Sequence, residues 1–421
     1  PAPGANHDAA IEQAPRDARI QPDTHVAPAD AINVELTADA HADLVVADVV
    51  YDDVDRGDTA VGLPADASDA HADIIVLASD ASGDAPDGAT PACPSCPPPS
   101  CFGDGLGLQA CGPLHEYCCT SILVPGGTFF RSYDGVSCPG GDPPDDPPEL
   151  GCYTHATDPA TVSDFRLDKY KVTAARFQNF TTAVDAGWRP TVGAGVHTHL
   201  AQGLGVADGR AGGQHEQGWQ AEWNADLTSD ASGAWNRYVM FNSGGLPDAT
   251  PSPDRPVGAV TWTQAYAFCI WDGGFLPTEA EWNYAAAGGA QQRVYPWSNP
   301  PTSTTLDCAH AAFQGDANNT CGPDQDVLPV GSKSPLGDGR WGHVDLAGNR
   351  SEWTLDWLDT YMNPCVDCAR LQAPSADEVP TFAPQRVLRG EYGVLLTSYR
   401  GSDEESGTYD GLVGFRCARA P

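Results

Sequence analysis

Hydrophobic and polar positions divide the chain into three stretches of different character. Over residues 1–92 the apolar residues are mostly Ala, Val and Ile scattered among Asp, Pro and Gly, and Tyr51 is the only aromatic. Such a stretch buries too little apolar surface to offset the entropy of ordering, so it reads as a disordered acidic linker. Within it, Asp39-Ala-His-Ala-Asp-Leu-Val-Val46 recurs imperfectly as Asp69-Ala-His-Ala-Asp-Ile-Ile-Val76. His41 and His71 of the repeat are candidate metal ligands, although a solvated spacer has the same composition. Residues 93–120 form a short cysteine-rich segment, and residues 121–421 have the pattern of a globular domain.

Within that domain, Ile122-Leu-Val-Pro-Gly-Gly-Thr-Phe-Phe130 predicts a strand with a Gly-Gly turn or bulge, and Asp164 to Tyr170 a second strand. Thr173 then caps a helix with Phe177 and Phe180 on one face. Gly187 to Thr261 is rich in Gly and Trp (Trp188, Trp219, Trp223, Trp235) with little periodicity. This predicts long loops over a compact core, where binding residues tend to sit. A helix near Thr263 turns Ala265, Phe268 and Cys269 inward and stops at Gly273-Gly274. The best-specified helix follows. Thr278 caps it, Glu281 reaches back to the cap's own N–H, Trp282, Ala285 and Ala286 supply a packing face, and Gly288-Gly289 ends it. Mostly loops and short strands complete the chain.

Charge narrows the partners. The net charge is −35, and residues 1–92 hold 19 Asp/Glu against three Arg. Nucleic acid and anionic membrane surfaces reward Lys/Arg clusters and are therefore poor partners. No apolar run reaches the length of a transmembrane helix. Fourteen cysteines with only two Met point to an oxidising compartment, hence a secreted, periplasmic or cell-surface protein with disulfides. The start at Pro1 without a signal peptide suggests numbering from a processed form, with which a lipid-anchored precursor is compatible.

The cysteines leave several readings open. Cys93-Pro-Ser-Cys96 has the spacing of half a zinc site or a redox pair, but eight cysteines among Pro and Gly between 93 and 152 favour structural disulfides of unread connectivity. Cys308 and Cys321, around Asn318-Asn319, are expected to pair. Cys365-Val-Asp-Cys368 has the spacing of a redox or metal motif. Its expected setting is a Pro/Ala-rich loop without a basic neighbour, closed by a disulfide. His197-Thr-His199 could join a metal site, but no carboxylate or Cys lies close in sequence, so exposed loop histidines are expected. No nucleophile elbow, phosphate loop or His-Glu-x-x-His helix is present.

The segment Leu276-Pro-Thr-Glu-Ala-Glu-Trp282 resembles the signature of the formylglycine-generating enzymes, the sulfatase-modifying-factor family. Further segments follow in family order: Val124 to Phe129, Phe165 to Thr173, Arg255-Pro-Val257 to Trp262, Ala265 to Trp271, Tyr295-Pro-Trp297, Leu328 to Gly331, Asp345 to Asn349, Arg386 to Gly390 and Gly414-Phe-Arg416. The resemblance spans roughly residues 121–419. It implies an α+β, C-type-lectin-like fold of low regular content, here preceded by the acidic tail. It also implies a Cys269–Cys417 disulfide joining the first long helix after the loops to the end of the chain. Oxidase members convert a substrate cysteine to formylglycine with copper held by two thiolates, soft ligands suited to Cu(I). Here the matching positions fall near Leu395 and Arg400, the family's Gly-Ser falls on Glu391-Tyr392, and the first Trp of Gly-Asn-x-Trp-Glu-Trp is Ser351. Copper is therefore not expected. The family's calcium site maps onto Asp345, Gly348, Arg350 and Glu352, so structural Ca²⁺ is expected there, while a second calcium site has Ala311 where the family has Asn.

Two function classes follow. The favoured one is a non-oxidase, calcium-stabilised binding module that takes a peptide or glycan through its Trp/Gly-rich loops. The alternative is an oxidoreductase: a formylglycine-generating oxidase acting on a sulfatase cysteine, or a related enzyme with a non-standard site. An iron-dependent sulfoxide synthase is disfavoured, because those enzymes recruit histidines from an additional helical domain.

Overall fold

The computed structural model describes residues 97–135, 156–210, 213–227, 252–313, 321, 327–375, 383–391, 393–404 and 413–421. The acidic linker over 1–92, with His41 and His71, lies outside these residues, as do Cys93, Cys96, Cys138, Cys152 and Trp235. The described residues form an α+β arrangement of short strands, three helices and much ordered loop.

Three of the sheets bring distant parts of the chain together. Strand β1 (Ser121–Val124) pairs antiparallel with β4 (Phe165–Asp168), whose other edge takes β12 (Ala418–Arg419), so the last residues close onto the beginning of the domain. A second sheet has the order β10-β9-β6-β11, built from Gly401–Asp403, Arg386–Arg389, Ser351–Trp357 and Val413–Gly414. The third joins β2 (Gly127–Phe130), β3 (Pro159–Val162) and β7 (Cys365–Val366), while β5 (Ala207–Asp208) pairs with β8 (Cys368–Ala369). The strand expected over Ile122 to Phe130 is thus two strands in different sheets. The break falls at Gly126, whose N–H donates to Asp164 Oδ1 at 2.7 Å. A Cβ there would lie 2.4 Å from the Val162 carbonyl, so the turn needs a glycine for close approach rather than for a bulge.

The helices start where local sequence specifies them. Thr173 accepts from the Arg176 N–H and caps α1 (Ala174–Asp185). Thr261 and Gln264 form a reciprocal capping box on α2 (Trp262–Trp271), and Thr278 and Glu281 form another on α3 (Glu279–Ala286). Each such cap satisfies N–H groups that the helix itself leaves orphaned. Helices α1 and α2 meet through aromatic side chains: Phe177 stacks on Phe268 with centroids 5.8 Å apart, and Phe180 meets the same ring edge-on at 5.5 Å. Phe415 completes this cluster, and the adjacent Cys417 is bonded to Cys269 of α2. Further disulfides join Cys101 to Cys119, Cys111 to Cys118, Cys308 to Cys321 and Cys365 to Cys368. Among the described residues no cysteine is free, and no helix is long and apolar enough to cross a membrane.

Candidate functional site

Two carboxylates one residue apart open helix α3, and both are buried. Glu279 receives Arg400 Nε and Nη2, each at 2.8 Å, together with Arg389 Nη2 and the Tyr361 hydroxyl at 2.6 Å. Burial alone would raise its pKa, but Arg400 and Arg389 outweigh that and hold it at about 2. Glu281 closes the capping box and also meets His197 Nε2 at 3.3 Å. The other ring nitrogen of His197 lies 2.8 Å from Glu216 Oε1. His197 is therefore no exposed loop residue. It is fully buried beside Phe275 and clamped between two carboxylates. Burial opposes its charge, but Glu216 and Glu281 prevail and lift its pKa to about 10. His199 is partly buried, and its ring stacks on Phe275. Glu216 and Glu281 lie 19 and 84 residues from His197, which is why sequence proximity did not reveal them.

The four residues matched to a calcium loop are already engaged with the protein's own groups. Glu352 is fully buried in β6, and its carboxylate already accepts from Arg416 Nε at 2.7 Å, Arg416 Nη2 at 2.8 Å, Trp282 Nε1 at 3.0 Å and the Lys171 ammonium. Burial would raise its pKa, yet Arg416 and Lys171 keep it near 2. The Gly348 carbonyl accepts the Arg350 N–H at 2.8 Å, and Asp345 Oδ2 accepts the Gly331 N–H at 2.7 Å. A divalent ion at Glu352 would sit against two protein cations, so this donor set does not fit calcium. Among the described residues no group of three or more His, Cys, Asp or Glu is arranged to hold a metal ion.

The positions where oxidase relatives carry thiolates have other work here. Leu395 is buried in an apolar cluster with Tyr295, Trp297, Phe313 and Leu396. Arg400 is the bidentate partner of Glu279. Ser351 opens β6 and is buried, and Tyr392 lies outside the described residues. The Cys365–Cys368 pair forms the expected disulfide, but its surroundings differ from expectation: Arg131 Nη1 lies 3.9 Å from Cys368 Sγ, brought from 237 residues away in sequence.

An open cleft of about 340 Å³ lies elsewhere, between the loop over 214–223, helix α2 and the β6–β9 sheet. Its walls are aromatic: Trp223, Trp262, Tyr266 and Trp357. Arg386 stacks between two of them, with its guanidinium carbon 3.6 Å from the Trp262 ring centroid and 3.7 Å from that of Trp357. Gln214, Gln217, Gln220 and Gln372 supply amide groups at the mouth, and Asp208 a carboxylate. The loop residues here were legible as a Trp/Gly-rich stretch. Trp357 and Arg386 were not, because they arrive from two strands that pair only in the folded chain.

Comparison with known proteins agrees with this architecture. Residues 113–421 match the Sulfatase-modifying factor enzyme 1-like domain. The formylglycine-generating enzyme of Thermomonospora curvata is 32% identical over 317 residues, covering 71% of this chain and 93% of that enzyme. The inactive C-alpha-formylglycine-generating enzyme 2 of Bos taurus is 34% identical over 184 residues, 39% of this chain and 50% of that protein. Among solved structures, PvdO from Pseudomonas aeruginosa aligns with a TM-score of 0.43 at 18% identity, over 72% of this chain and 94% of that one. With a family match over most of its length and a relative 32% identical across 71% of the chain, the chain belongs to the sulfatase-modifying-factor, or formylglycine-generating-enzyme-like, family.

Proposed function

We propose that this domain is an extracytoplasmic, non-oxidase member of its family that binds a glycan in the aromatic cleft. The carrying observation is the fate of the two thiolate positions: one is an apolar core residue, Leu395, and the other a buried ion-pair partner, Arg400. Neither offers a soft ligand for Cu(I). The similarity to the inactive C-alpha-formylglycine-generating enzyme 2 of Bos taurus supports this reading. The five disulfides among the described residues support an oxidising compartment.

The cleft favours a sugar over other small ligands. Its volume of about 340 Å³ lies at the small end of the range for ligand pockets. The partly exposed Trp223 and Trp357 offer ring surface to the apolar C–H face of a pyranose, and the exposed Gln217 amide presents a donor and an acceptor side by side, matching adjacent hydroxyls. Arg386 is the only Lys or Arg among the lining residues, and the carboxylate of Asp208 stands among them, so a polyanionic ligand is disfavoured.

A glycan array, followed by titration monitored through Trp fluorescence, tests this reading. Neutral oligosaccharides should bind, and Gln217→Ala should weaken them by about fivefold, since one lost hydrogen bond is worth roughly 1 kcal/mol. Binding of peptides but not sugars would replace the ligand class. Formation of an aldehyde from a Cys-x-Pro-x-Arg peptide with copper and O₂, above a control without protein, would restore the oxidase alternative.

A further inference from the structure

The misfit at the calcium loop carries its own inference. We propose that Lys171 occupies the place of a bound cation, so that the domain is built to stand without calcium. Lys171 lies between β4 and the cap of α1, and its side chain is fully buried, as are those of Glu352 and Arg416. Its ammonium pairs with Glu352 Oε1. Arg416 holds the same carboxylate with two nitrogens and also donates to the Val344 carbonyl at 2.9 Å and the Lys169 carbonyl at 3.0 Å. Two cations, Lys171 and Arg416, therefore meet at the Glu352 carboxylate, and both also act on the charge of Asp345, so the group carries its own counter-charge.

Oxygen-rich loops take calcium because clustered carboxylates and carbonyls need a counter-charge. Here that charge is covalent. Adding a divalent ion would leave an excess of positive charge in a buried site, where uncompensated charge is strongly unfavourable. Of the carbonyls that would complete a coordination shell, that of Gly348 already accepts the Arg350 N–H at 2.8 Å. A lysine at this point replaces an equilibrium that depends on ion concentration with a contact that does not.

The test compares the full chain with its Lys171→Met variant, which keeps the length of the side chain and removes the charge. For the wild-type protein, metal analysis after dialysis should find no stoichiometric calcium, and Tm should differ by less than about 1 °C between millimolar Ca²⁺ and EDTA. Lys171→Met should lower Tm on the order of 10 °C and regain about 3 °C or more in millimolar Ca²⁺ as the vacated place accepts the ion. Calcium retained one-to-one by the wild type, or a wild-type Tm that falls in EDTA, overturns the proposal. A destabilised Lys171→Met that ignores calcium also overturns it, since the vacated place is then no cation site. Should that variant fail to fold, the wild-type measurements decide, and Lys171→Arg should fold and remain insensitive to calcium.

Discussion

The buried charge around α3 and β6 and the aromatic cleft use polar side chains in opposite ways. Around α3, Glu279, Glu281 and Glu352 each meet a cation inside the protein: Arg389 and Arg400, His197, and Lys171 with Arg416. In the cleft, Gln214, Gln217 and Gln372 are exposed, and the Arg386 guanidinium is stacked between the rings of Trp262 and Trp357. A buried ion pair is a weak source of net stability, but removing one partner strands the other and is strongly unfavourable. Polar groups at an open cleft remain hydrated before a ligand arrives, so their loss affects binding more than folding. The contrast separates architecture from recognition, and substitutions can test it.

The largest effect should come from Glu279→Gln, which leaves Arg389 and Arg400 buried without their anion. A loss of about 3–5 kcal/mol in chemical denaturation is expected. A value below roughly 1 kcal/mol would show that water reaches these guanidinium groups. His197→Gln should come next, at about 2–3 kcal/mol, because Glu216 and Glu281 would then share a buried site without a cation. It carries a pH signature as well. The folded pKa of His197 is raised to about 10, so its contribution is fully present below the ordinary histidine value near 6.5. That contribution is lost as pH rises through the folded value. The difference in Tm between wild type and variant should therefore shrink steadily from pH 7 to pH 10, and a constant difference would refute a charged His197. Thr278→Ala, which removes one side of a capping box, should lower stability by about 1 kcal/mol. Gln217→Ala in the cleft should change it by no more than about 0.5 kcal/mol, although it weakens the ligand. If the cleft variant destabilised the fold as much as the cap variant, the comparison between the two regions would collapse.

Local signals in the chain are legible where the partners lie within a few residues. Thr173, Thr278 and Glu281 cap as expected, because a cap bonds N–H groups only two or three positions ahead. The Cys308–Cys321 and Cys365–Cys368 bridges close short loops and were legible for the same reason. Cys269–Cys417, 148 residues apart, was legible only through the family resemblance. The strand over Ile122 to Phe130 looked continuous because its apolar residues run on both sides of Gly126. Its division depends on Asp164 and Val162, which the sequence alone does not place beside that glycine.

Residue identities alone were enough for the family, the starts of α1 and α3 and the lack of cysteine near Leu395 and Arg400, whereas the Thr261 cap of α2 was not foreseen. These are properties of residue identity and near-neighbour spacing. Tertiary structure decided what the charged residues do. Glu281 is both a cap and a histidine partner, Glu352 faces Lys171 rather than a metal, and Arg386 meets Trp262 and Trp357 to form a cleft wall. The physical reason is that a buried charge is defined by whichever opposite charge the fold brings within about 4 Å, and that partner can come from any position along the chain.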